Sequence, residues 1–148
     1  MKRTRLGLAA LAVVAVAGLA AGLVVARGSS GSGHVRPGVI AGGSFHSVSW
    51  STRGRAEIAG NADGSPVLRL RGFQTQKAPE LWIVLEGKGG VTDRRQLSPL
   101  RRWYGNQDYS IPVDVARHPP ARVLIYCTKC GKVWGYAELA PAGATAAS

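Results

Sequence analysis

Beyond residue 43, apolar side chains recur at every second position in short runs broken by Gly, Pro, Asn and Asp, the pattern of half-buried strands rather than of helices. Ser44 to Ser51 alternates loosely around Phe45, Val48 and Trp50, and Gly54 to Ala59 sets Ala56 and Ile58 on one face. Asn61-Ala62-Asp63-Gly64 is a turn signal, and it predicts a hairpin with the next run, where Leu68 and Leu70 oppose Arg69 and Arg71. Leu81 to Glu86 is nearly continuous in apolar residues and predicts a central strand covered on both faces, ended by Gly87 to Gly90. Tyr109 and Ile111 form a short strand that Pro112 closes.

The last pair of strands is predicted within Arg122 to Leu139. Val123, Ile125 and Cys127 share one face of an extended chain, so Cys127 points into the core. Val133, Gly135, Ala137 and Leu139 then share a face, with Lys132, Trp134, Tyr136 and Glu138 on the other. Gly131 supplies the positive φ of the connecting loop, and Cys130 sits in that loop. No run after residue 43 holds helical periodicity over three turns. The expected fold is all-β: a β-sandwich of about seven to eight short antiparallel strands, with a partly closed barrel as the alternative.

The N-terminus reads differently. Leu6 to Ala26 carries no charge and follows Lys2, Arg3 and Arg5. Its length matches the roughly 20 residues that cross a bilayer as a helix and exceeds a signal-peptide core of about 7 to 15. Residues 1–27 are therefore expected to be an uncleaved anchor in the cell membrane, single-pass, with the N-terminus inside and the domain extracytoplasmic. The alternative is secretion after cleavage of a signal. Residues 28–43 read as a flexible Gly/Ser linker, 44–140 as the domain, and 141–148 as a disordered tail.

With 148 residues, the chain has room for one modest domain after the anchor. Nineteen Lys and Arg against 8 Asp and Glu give a net charge of +11. The basic residues are scattered rather than gathered in a run, so the expected partner is the membrane and its anionic surface and not nucleic acid.

The two cysteines, Cys127 and Cys130, carry the obvious redox chemistry. Gly131 stands where a c-type haem motif needs its His, and two Cys with three scattered His are too few for a zinc site, so no metal is expected. An exported Cys-x-x-Cys pair can close a small disulfide loop suited to redox cycling, or Cys127 can be a structural buried cysteine with an incidental neighbour. Lys129 and Lys132 favour a thiolate there, whereas burial of Cys127 opposes it. There is no Gly-x-Ser-x-Gly elbow, no His-Glu-x-x-His and no phosphate-binding loop, so nothing points to a hydrolase. Trp82, Trp103, Tyr104, Trp134 and Tyr136 are candidates for an aromatic surface that takes a sugar or a flat cofactor, or for core and rim packing.

Several pieces taken in order resemble the DM13 domain: Pro79 to Leu85, Leu97 to Leu100, Gly105 to Pro112, Val123 to Cys127, and Trp134 to Leu139. The resemblance runs from about Gly43 to Leu139. It implies an extracytoplasmic β-rich module with an electron-transfer role centred on one cysteine, which maps onto Cys127. Haem enters as a cofactor by that family proposal only. The family pattern places a His where this chain has Trp50, which weakens any ligand set built on a His-Cys pair. The expected function is redox chemistry at Cys127 and Cys130 with a redox partner protein, and Trp50, Trp134 and Tyr136 are weaker candidates for contacting a cofactor. The competing expectation is a non-catalytic module that binds envelope glycan or protein.

Overall fold

The computed structural model describes residues 33–144. Alternation becomes strand along most of this length: β1 (Gly38–Ser47), β2 (Thr52–Gly60), β3 (Pro66–Thr75), β4 (Leu81–Glu86), β5 (Arg94–Pro99), β6 (Tyr104–Ser110), β7 (Arg122–Cys127), β8 (Lys132–Glu138) and the short β9 (Ala140–Pro141). One short helix, α1 (Val113–Arg117), joins β6 to β7. The fold is all-β. No helix among the described residues is long and apolar enough to cross a membrane, and Leu6 to Ala26 lies outside them.

The strands form one antiparallel sheet in the order β5-β4-β7-β8-β1-β2-β3-β6, curled into a half-barrel, with β9 paired to β1. A sandwich would need two separate sheets, but here β1 belongs to both halves. Val39 to Ser44 pairs with β2, while Phe45 to Ser47 pairs with β8. The two halves fold over one core that includes Phe45, Ile58, Leu68, Leu70, Phe73, Ile83, Val123 and Ile125.

Two stretches differ from the pattern reading. β1 begins at Gly38, inside the segment expected to be a linker, because its glycines serve close packing rather than freedom. A Cβ on Gly43 would lie 1.7 Å from the Glu138 carbonyl oxygen, so only glycine lets these backbones approach. β9 likewise falls where a disordered tail was expected to begin, held by Ala142 N–H donating to the Ile40 carbonyl at 2.8 Å.

The pairing gives the half-barrel two distinct ends. At one lie the β1–β2, β3–β4, β5–β6 and β7–β8 connections. At the other lie the chain entry at residues 33–37, the β2–β3 turn, the β4–β5 connection and α1, whose Val115 and Ala116 plug the core. The entering chain is tied there by Val35 N–H donating to the Gly64 carbonyl at 2.9 Å.

Candidate functional site

Both cysteines lie at the first of these ends, on the β7–β8 hairpin. Val123, Ile125 and Cys127 face the core as their alternation requires, and Cys127 is 3% exposed. Gly131, with φ +64°, closes the loop by donating its N–H to the Cys127 carbonyl at 2.9 Å. That turn carries Cys130 back over Cys127. The sulfur atoms are at bonding distance with the Cα atoms 5.4 Å apart, within the range a disulfide tolerates. Cys130 itself is exposed, and its backbone N–H points at the Cys127 Sγ, 3.1 Å away.

The loop is held from β4. Thr128 donates its N–H to the Glu80 carbonyl at 3.1 Å, and its hydroxyl reaches the same oxygen at 3.3 Å. Glu80 adopts φ +55°, the one positive φ at a non-glycine among the described residues. Such a conformation costs on the order of 1 kcal/mol and persists only where surrounding contacts fix it. Here it turns the carbonyl toward the cysteine loop.

Trp134 does not lie on the outer face where strict alternation puts it. Ile125 pairs with Gly135 and Tyr126 with Val133, so Trp134 is the extra residue of a β-bulge and turns inward to 4% exposure. Its carbonyl accepts the N–H of Val48 at 2.9 Å, and its ring stacks on Trp50 with centroids 4.3 Å apart and planes 16° from parallel. The Lys132 ammonium stands 6.0 Å above the Trp50 ring. The indole N–H of Trp134 is buried without a hydrogen-bond partner. Trp50 and Trp134 are therefore brought together near the cysteines, while Tyr136 is separated from them on the outer face, beside His46 at 5.5 Å and under the Arg122 guanidinium at 5.0 Å.

These contacts bear on a haem. The Cys127 sulfur is buried and paired with Cys130, and Trp50 is committed to the stack on Trp134. The residues as arranged do not fit an iron ligand set. Among the described residues no three His, Cys, Asp or Glu side chains gather as a metal site.

At the opposite end lies a second constellation that no sequence motif marks. Glu86 is 4% exposed and accepts from Arg94 at 2.6 Å and Arg122 at 3.5 Å, while Arg122 also bonds Glu138 at 2.9 Å. The Glu138 hydrogen bond raises the Arg122 pKa above its ordinary value. A cleft of about 680 Å³, lined by Ile40, Glu86, Lys88, Pro119, Arg122 and Leu139, opens beside it. A strand-end Glu looks solvated in sequence; its burial follows from the two arginines that the registers Glu86↔Arg94 and Glu86↔Arg122 set on either side. Both oxygens of the buried Glu86 carboxylate face an arginine, so the group is built for structure more than for proton transfer.

Comparison with known proteins finds no match to any family model, curated protein or solved structure. The functional reading therefore rests on the residues and their geometry.

Proposed function

We propose that this chain is a membrane-anchored, extracytoplasmic module of DM13 type that passes electrons by reversible thiol–disulfide exchange between Cys127 and Cys130. The observation that carries the proposal is the cysteine pair itself: one sulfur in the core, one residue in solvent, at bonding distance in a loop held by Glu80. A bridge over so short a loop adds little chain-entropy stabilisation. Lys129 and Lys132 flank it and favour the thiolate on reduction. The described chain enters at residues 33–37, at the end of the half-barrel opposite the cysteine pair.

The competing reading, a non-catalytic module for envelope glycan or protein, draws on the candidate aromatics Trp82, Trp103, Tyr104, Trp134 and Tyr136, of which Tyr104 is 68% exposed. Trp82, Trp103 and Tyr136 are half-buried, and Trp134 is withdrawn into the core, so it is not part of such a surface.

Acid quenching of cells followed by differential alkylation of the full chain tests the proposal. A mixture of oxidised and reduced Cys127–Cys130 that shifts with added reductant is the expected result; two thiols that stay free under mild oxidant would refute it.

A further inference from the structure

We infer that Cys130 is the sulfur a partner attacks, that Cys127 is the leaving and resolving sulfur, and that the partner is a dithiol protein with an acidic docking face. This rests on the thiol–disulfide reading above and adds its direction and its partner chemistry. In a Cys-x-x-Cys pair either sulfur can be the point of entry, and access together with stabilisation of the departing thiolate decides which. Both favour the same order here. Cys127 is 3% exposed beneath the loop, so a partner sulfur reaches the bond from the side of exposed Cys130. The sulfur that then departs with the electron pair is Cys127 Sγ, the one that already accepts the Cys130 N–H at 3.1 Å.

The step balances as follows. A partner thiolate bonds to Cys130 Sγ, the Cys130–Cys127 bond breaks, and Cys127 leaves as a thiolate and takes a proton from solvent. The partner's second thiolate then attacks its own sulfur in the mixed disulfide, and Cys130 leaves and is protonated. Two electrons pass from the partner to this chain, the two protons come from solvent, and the partner ends as a disulfide. In reverse, the Cys130 thiolate attacks an oxidised partner and Cys127 resolves the intermediate.

Charge selects the partner. The connections at the cysteine end carry exposed Lys77, Arg101, Arg102 and Lys129 against Glu80 alone. Those at the other end are balanced, with Arg36, Lys88 and Arg117 against Asp63, Asp93 and Asp114. An acidic face around the partner's thiols complements the first end and gains nothing at the second.

The test uses the oxidised full chain with two small thiols of opposite charge, glutathione and cysteamine, quenched in acid and mapped by peptide mass spectrometry. Glutathione is expected on Cys130 with about tenfold or greater preference over Cys127. The glutathione-to-cysteamine rate ratio is expected to fall as salt is raised. Adducts mainly on Cys127 would overturn the order of attack, and a ratio indifferent to salt would overturn the acidic partner. Dithiothreitol separates these failures from failure of the underlying reading: a bond it cannot open while the chain stays folded refutes redox function itself. In Cys127→Ala, the mixed disulfide on Cys130 is expected to persist after excess glutathione disulfide is removed, since no resolving sulfur remains. Its spontaneous loss in that variant would count against the role of Cys127.

Discussion

The two ends of the half-barrel are closed by opposite means. At the cysteine end a bulged tryptophan stacks on a loop tryptophan, and the surrounding charges are nearly all positive. At the other end a helix fills the core, and a buried glutamate is clasped by two arginines. The first end leaves unresolved features: an unpartnered indole N–H, a glutamate at positive φ, a cysteine half in and half out of solvent as a pair. The second pairs its buried glutamate within the molecule. Strain and unmet polar groups concentrate where function is expected, whereas internally paired charge holds structure.

The sharpest way to break this contrast is to remove the apolar closure. Trp134→Ala deletes a buried ring and its stack on Trp50, and is expected to cost about 3–5 kcal/mol in denaturant unfolding, with little dependence on salt. At the other end, Glu86→Ala strands Arg94 and leaves Arg122 with Glu138 alone. Its expected cost is about 2 kcal/mol, less than for a fully buried pair, because the Arg94 and Arg122 side chains keep 26% and 43% exposure and can rehydrate. Raising salt is expected to shrink this cost and leave that of Trp134→Ala unchanged. Equal salt sensitivity in the two variants would erase the distinction between the ends.

Smaller effects sharpen it further. Cys127→Ser and Cys130→Ser both lose the bridge, so their difference isolates the buried hydroxyl. Cys127→Ser is expected to be less stable by about 1 kcal/mol, at the low end for a buried hydroxyl because the Cys130 N–H is placed to bond it. Identical unfolding curves for the two would show that Cys127 is not in a tighter environment than Cys130. The smallest effect concerns the β2–β3 turn. Asp63 is held below the usual carboxylate pKa by hydrogen bonds from the Ser65 hydroxyl and Ser65 N–H. Because the folded value is the lower one, this contribution is present above the unfolded pKa of 3.8 and fades as pH falls through the folded value. An NMR titration of the Asp63 carboxyl is expected to give a midpoint below 3.8; a midpoint at or above it would remove the turn's acid sensitivity.

The sequence pattern carried much of this architecture. Period-two runs at Ala56 and Ile58, Leu68 and Leu70, and Val123 to Cys127 name core residues correctly, because none of these residues is itself the extra residue of a bulge. What stayed hidden depends on partners distant in sequence. A bulge is defined by the facing strand, so nothing local reveals that Trp134 turns inward. Gly38 to Gly43 looks like a tether until Glu138 is laid against it. β5, with Arg94, Arg95 and Gln96 ahead of Leu97, lacks an apolar alternation because it is an edge strand with little to bury. The cysteine loop was legible in its turn glycine and in the burial of Cys127. The Glu80 carbonyl that holds it was not, since it comes from another hairpin.

The most direct test of the central claim is the midpoint reduction potential of the full chain, measured in thiol redox buffers with alkylation and mass counting of free sulfurs. A bridge that closes so small a loop, with one cysteine exposed, is expected to open above about −300 mV, the level below which structural bridges of exported proteins lie. The two thiols should appear together and re-form the bond on oxidation. A midpoint below that level, or thiols that appear independently and never re-pair, would contradict redox function and leave Cys127 as a structural core residue.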